Sequence, residues 1–140
     1  MKMETTLVFI KPGGVKRNLI GEIIQRIEKR NLSIAGLKMI MADRTLVEEH
    51  YAEHRGKSFY EEVCSYLTSD PIVVMAVQGE NSVKAIRTMM GATHPLDATP
   101  GTVRGDLALS IEDNLVHSSA DSTAAEAELK LWFKEGLFSS

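Results

Sequence analysis

The stretch NLVHSSADS, residues 114–122, is a short apolar run that delivers a histidine and then a cluster of small hydroxyl residues. An imidazole with an ordinary pKa of about 6.5 is largely uncharged near neutral pH and carries a nitrogen lone pair. His117 is therefore a competent nucleophile toward electrophilic phosphorus, provided a neighbour fixes its tautomer. Glu128 lies three residues before Leu131 and four before Trp132, at the edge of an apolar helix face. A carboxylate there is placed to reach back toward His117, with Ser119 as a bridge. A histidine at a strand end equally fits a structural residue with satisfied hydrogen bonds, and spacing alone leaves both readings open.

Three basic residues stand at unusual places. Lys11 ends an apolar run and opens a Gly-Gly loop, where backbone N–H groups and an ammonium can meet an anion. Arg87 lies between Val83 and Met90 on a helical pattern and so borders a buried face, where an unpaired charge is costly. Arg104 sits in a long unpatterned segment. Each alone fits a solvated charge or a structural ion pair; three together point to an anion site.

Other chemistries are excluded. Gly56-Lys57-Ser58 looks like the end of a P-loop, but Tyr51 stands where its first glycine belongs, and no strand precedes it. There is no G-x-G-x-x-G, and no Cys/His set has zinc spacing. His50 and His54 are four apart on one helix face, which fits a metal pair but fits an exposed or half-buried helix face better.

The elements that must position these groups follow from periodicity. Thr5 to Ile10 reads as a strand, broken by Lys11-Pro12-Gly13-Gly14 as a tight loop. Ile20, Ile23, Ile24 and Ile27 predict an amphipathic helix ending near Arg30-Asn31, and Leu32 to Ala42 predicts a strand. Leu46, Val47, His50, Tyr51 and His54 keep helical spacing, as do Phe59, Tyr60, Val63, Cys64 and Leu67. IVVMAV after Pro71 is a well-buried strand, and Val83, Ile86 and Met90 mark a helix stopped by Gly91. Residues 91–110 lose the pattern; loops beyond roughly 12–15 residues are usually functional or disordered. This one carries Thr93, His94, Arg104 and Asp106, which favours function. NLVH predicts a last strand, and a final helix has Thr123 and Glu126 as a capping box over the stripe Ala125, Leu129, Trp132 and Phe133. Four strands with helices between them predict one domain, residues 1–140. Its fold class would be an α/β (α+β) two-layer sandwich of the split βαβ, ferredoxin-like kind, a four-stranded antiparallel sheet covered by helices.

Composition agrees with a globular chain: 140 residues, 44% hydrophobic and 25% charged, with a net charge of -3. That charge gives no footprint for nucleic acid or anionic membrane, so an anion site must be local. The one cysteine, Cys64, forms no internal disulfide, and the apolar run near the start is too short for a signal-peptide core. The chain has no bilayer-spanning stretch, and the cytoplasm is the expected location.

NLVHSS resembles the active-site segment of nucleoside diphosphate kinases: Asn, two apolar residues, His, Gly or Ala, Ser, Asp. TLVFIKPGGVKRNLIGEII is similar to that family's first strand, lysine loop and first helix. EEHYAEHRGKSFY resembles its nucleotide-gripping hairpin, and GATHPLDATPGTVRGDL its long loop before the last strand. The resemblance spans nearly the whole chain. It implies transfer of the γ-phosphoryl group from a nucleoside triphosphate, typically ATP, to a nucleoside diphosphate, by a ping-pong route through phosphohistidine. His117 would be the nucleophile, through Nδ1, with Glu128 and Ser119 holding and polarising it. Lys11, Tyr51, Arg87, Thr93 and Arg104 would gather around the phosphates, and Lys11 and Asn114 would also touch ribose hydroxyls. Phe59 would stack on the base, with the neighbourhood of Val63 and Ile111 completing an apolar clamp. Stacking is indifferent to base identity, so broad base tolerance is expected. Mg²⁺ would ride on the nucleotide phosphates rather than in a protein cage. The partners implied are nucleoside di- and triphosphates and further copies of the chain, in a tetramer or hexamer built from dimers.

The chain departs from the family pattern at four places. Gly13 stands where Asp usually follows Lys-Pro, His94 replaces a common Asn, Ser118 replaces Gly or Ala, and Ala120 replaces Asp. The alternative is a non-catalytic nucleotide- or nucleic-acid-binding module on the same fold. RNA-binding sheets of this kind stack bases on strand aromatics, and only Phe9 lies in a predicted strand.

Overall fold

The computed structural model describes residues 3–138. Strand β1 (Met3–Ile10) leads into a short helix α1 (Pro12–Lys16) and then α2 (Ile20–Lys29). Strand β2 (Ser33–Ile40) is followed by α3 (Arg44–His50), a 3-10 turn (Ala52–His54) and α4 (Tyr60–Ser69). Strand β3 (Ile72–Glu80) and α5 (Ser82–Met90) come next, then a second 3-10 turn (Pro95–Asp97) and α6 (Val103–Leu107). Strand β4 (Val116–Ser118) and α7 (Ser122–Trp132) complete the order.

The sheet runs β2-β3-β1-β4, with β3 antiparallel to both β1 and β2, and β4 antiparallel to β1. Each of the two βαβ units therefore admits a strand of the other between its own two, which is the split arrangement expected. Alternation along β1 sends Leu7 and Phe9 to one face and Val8 and Ile10 to the other, and all four are fully buried. On one face, Val8, Ile10, Val73 and Met75 meet Ile23 and Ile27 of α2 and Ile86 and Met90 of α5. On the other, Leu7, Phe9, Ile72 and Val74 meet Val47 of α3, Leu67 of α4 and Trp132 of α7. Helices thus cover both faces, which is why β3 reads as a continuous apolar run. Each such side chain contributes roughly 1.5–3 kcal/mol on burial.

Three sequence expectations are corrected. Pro12-Gly13-Gly14 is not a plain loop but the start of α1, with proline in the first turn, where its missing N–H costs nothing. The long segment 91–110 is structured. Its two helices escape periodicity because three and five residues complete too few turns to show an apolar face. Thr102 Oγ1 accepts from Gly105 N–H at 3.0 Å, His94 Nδ1 from Leu96 N–H at 3.2 Å, and Arg26 pairs with Asp106 at 3.0 Å. Finally, Thr123 and Glu126 do not form the capping box. Asp121 caps α7 by accepting from Ala124 N–H at 2.8 Å, so the helix starts before Thr123.

Candidate active site

His117 sits on β4 opposite Phe9 of β1, and the two rings stack with centroids 4.6 Å apart. The last strand is short because the chain turns just before it: Leu115 has φ of +72°, and Val116 N–H bonds to Asn114 O at 2.9 Å. This is a γ-turn on a non-glycine residue, a strained conformation of the kind found at functional sites. It holds because Leu115 is fully buried and its carbonyl accepts from Lys11 N–H at 2.8 Å. The strand end carrying His117 and the strand end carrying Lys11 are thereby tied together.

Glu128, on α7, meets His117 directly: Nε2 lies 3.0 Å from Oε1. Ser119 is not the bridge expected from sequence but a second donor to the same oxygen, at 2.8 Å. Its own Oγ accepts from Leu7 N–H at 3.3 Å, which anchors it to β1. Burial alone would raise the Glu128 carboxyl, but its hydrogen bonds from His117 and Ser119 and the imidazoles nearby carry it below its ordinary value. An ionised Glu128 accepts only, so Nε2 of His117 carries the proton and Nδ1 keeps the lone pair. Burial holds His117 below its ordinary value against the pull of Glu128, with Lys11 and Arg87 pressing the same way as burial.

The three cations converge on this end of the sheet. Lys11 Nζ donates to Asn114 Oδ1 at 2.7 Å, and Asn114 Nδ2 donates to the Thr93 carbonyl at 3.0 Å. Burial, with Arg104 close by, brings the Lys11 ammonium down to about 8, while Asp113 pulls the other way. Arg104 is buried, and three of its nitrogens donate to carbonyls of Asn114, Gly91 and Val116 at 3.1, 2.8 and 2.7 Å. Burial and the Arg87 charge lower it to about 10. Arg87 is more open than its helical position implies: it is exposed, and its guanidinium reaches across to the Ser118 carbonyl at 3.1 Å. Burial pushes the Tyr51 hydroxyl up, and Glu128 and Arg104 are among the charges that act on it. Thr93 is exposed, with its carbonyl taken by Asn114.

Phe59 stands apart from this cluster and is exposed at the head of α4, with the His54 ring 5.4 Å away and Lys57 Nζ 5.9 Å from its own ring centre. Ile111 is also exposed, whereas Val63 packs against the core.

Sequence reasoning read His50, with His54, as a helix face and missed its place beside His117. It packs edge-on to His117 at 4.6 Å, and Trp132 Nε1–H donates to its Nδ1 at 2.9 Å. The available signal was its place on the apolar face of α3, three residues after Val47. Among the described residues, His50, His117 and Glu128 are the one group close enough to share a metal ion. The indole bond leaves His50 with its proton on Nε2, a donor rather than a ligand, and His54 turns away to Lys57 Nζ at 3.2 Å. Burial and His117 lower His50 to about 3, so it stays neutral.

The arrangement offers one half-buried imidazole with a free Nδ1, a carboxylate behind it, and an ammonium and two guanidiniums alongside. Such a group can take up and release a phosphoryl group. Comparison with known proteins agrees. The family model described as nucleoside diphosphate kinase matches residues 4–138. A nucleoside diphosphate kinase of Rubrobacter xylanophilus is 55% identical over 94% of this chain and 98% of its own. One of Sulfurisphaera tokodaii is 52% identical over 96% of this chain and 92% of its own. The solved structure of a halophilic nucleoside diphosphate kinase from Halobacterium salinarum in complex with CDP superposes with a TM-score of 0.96. It is 40% identical, and the match covers 99% of this chain and 93% of that one.

Proposed function

The chain belongs to the nucleoside diphosphate kinase family, and from that premise we propose that His117 carries the phosphoryl group in transit. The enzyme moves the γ-phosphoryl group of a nucleoside triphosphate to a nucleoside diphosphate. In the first half-reaction the Nδ1 lone pair forms an N–P bond as the bond from phosphorus to the β,γ-bridging oxygen breaks. The electron pair leaves with the nucleoside diphosphate. In the second, a terminal oxygen of another diphosphate attacks phosphorus, and the N–P electrons return to the ring. The ring gains positive charge whenever Nδ1 is bonded, and the Glu128 carboxylate balances it through Nε2–H at 3.0 Å.

Phosphoryl transfer asks for in-line positioning and positive charge around spreading negative charge. Lys11, Arg87 and Arg104 supply that charge, with Tyr51 and Thr93 at the phosphates and Lys11 and Asn114 at the ribose. Arg104 has five N–H donors, and the three nitrogens bonded to carbonyls orient it while N–H groups remain for an anion. Phe59 takes the base, and an open aromatic face suits every base alike.

Two imidazoles and a carboxylate that is already hydrogen-bonded are not a hard-oxygen set for Mg²⁺, so the ion would be held by the nucleotide phosphates. When bound it neutralises phosphate charge. The exposed Leu37, Met39 and Met41, on and just beyond edge strand β2, support a homo-oligomer. Among the described residues no helix is long and apolar enough to cross a membrane. The single cysteine, Cys64, is free and buried, which suits a reducing compartment, and the cytoplasm is the location we infer. All of residues 1–140 would work as one domain.

The observation that carries this reading is the pinning of Nε2 by Glu128, which leaves Nδ1 as the nucleophile. The test is to incubate the protein with Mg²⁺ and γ-labelled ATP, quench, and add GDP to the labelled protein. Acid-labile label that passes to GDP and is absent from His117→Ala supports it. Nucleotide binding without label overturns it.

A further inference from the structure

Gly13 lies in the first turn of α1, two residues after Lys11, and the space beside it is taken by another residue. A Cβ at Gly13 would lie 2.0 Å from Asp113 Oδ1 and 2.5 Å from its Cγ and Oδ2, well inside contact distance. The Asp113 carboxyl thus fills the volume that the first atom of a side chain at position 13 would need. It is held there from two sides. Tyr66 Oη accepts from Gly13 N–H at 2.8 Å and donates to Asp113 Oδ1 at 2.9 Å. The Asp113 backbone bonds to the Ser110 carbonyl at 3.3 Å. The next residue, Asn114, receives the Lys11 ammonium at 2.7 Å. Glycine at 13 is therefore a condition for Asp113 to sit where it does.

We propose that Asp113 is a positioning residue for phosphoryl transfer, a carboxylate delivered from the approach to β4 to the start of α1. Through Tyr66, which joins it to Gly13 N–H, it fixes the start of α1 two residues after Lys11, and its charge favours the ammonium there. This rests on Lys11 being a phosphate ligand. Its physical need is plain from the groups around the ammonium. Arg104 of α6 opposes the charge of Lys11, as burial does, whereas Asp113 supports it. His117 of β4 and His50 of α3 also feel Lys11, but both are held neutral by burial. Asn114 accepts a hydrogen bond but brings no charge.

The test compares Asp113→Asn, which keeps shape and an acceptor for Tyr66, with the exchange Gly13→Asp plus Asp113→Ala. Lys11 is titrated by NMR in lysine-labelled free protein, and kcat/KM is recorded against pH. Asp113→Asn should lower both the Lys11 titration and the alkaline limb by roughly half a unit, which is about a two- to three-fold loss at pH 8.5. The exchange should restore both, and Gly13→Asp alone, which crowds two carboxylates, should be the least active variant. An unmoved Lys11 titration in Asp113→Asn, or an exchange variant no better than Asp113→Asn, overturns the proposal. A Lys11 titration that moves while the alkaline limb stays leaves the influence of Asp113 on Lys11 standing and overturns instead the reading of Lys11 as a phosphate ligand.

Discussion

The indole N–H of Trp132 donates to Nδ1 of His50 across 2.9 Å, joining residues 82 apart in sequence. That bond orients a second, half-buried imidazole against His117, and burial and His117 keep it neutral.

Acid should therefore destabilise the fold through His50. Its folded pKa is about 3, against about 6.5 unfolded, so only the unfolded state takes up the proton between those values. Stability is full above about pH 6.5 and falls as pH drops, by up to about 1.4 kcal/mol per unit. Urea midpoints at pH 7.5, 6 and 5, compared with His50→Gln, measure it: the variant should show the shallower slope. Equal slopes would count against the assignment.

Glu128→Gln should slow phosphorylation of His117 without weakening nucleotide binding. A hydrogen bond to a charged group contributes about 1.5–3 kcal/mol, or roughly 10- to 150-fold in rate. Single-turnover labelling and a separate nucleotide Kd distinguish the two effects. An unchanged labelling rate would mean that the carboxylate does not control the tautomer.

Arg104→Lys should cost both stability and affinity. A lysine ammonium cannot reproduce a planar fork that meets three carbonyls, and carbonyls left unpaired cost about 1–3 kcal/mol each. A lower urea midpoint together with weaker nucleotide binding is expected. Loss of affinity at unchanged stability would separate the two roles.

Ser118→Ala should be stabilising by about 1 kcal/mol. Ser118 is buried, and among the described residues its Oγ has no hydrogen-bond partner, so the hydroxyl is desolvated for nothing. Thermal melting decides it, and a lower Tm would reveal a partner for the hydroxyl.

Much of this was legible from local pattern. The spacing of Ile20, Ile23, Ile24 and Ile27, the apolar run after Pro71, and the strand that ends just before Lys11 gave the elements in their right order. The residue types at 11, 87, 104 and 117 suggested an anion site around an imidazole, and the fold brings those side chains to one end of the sheet. Periodicity works because a helix or strand exposes one face at a fixed repeat. It fails where an element completes less than two turns, as α1 and α6 do, and where a cap competes with its neighbour, as Asp121 does with Thr123.

What no local pattern holds is which distant element covers a given face. The sequence placed His50 on an apolar stripe, but only the packing of α7 against β1 and α3 put Trp132 on its Nδ1 and Glu128 on Nε2 of His117. It showed a glycine after Lys11-Pro12, but only the fold brought Asp113 into the space that glycine leaves. Residue types and spacing determine what chemistry a chain can offer. Close packing of side chains far apart in sequence decides which lone pair is free and which charges share a site.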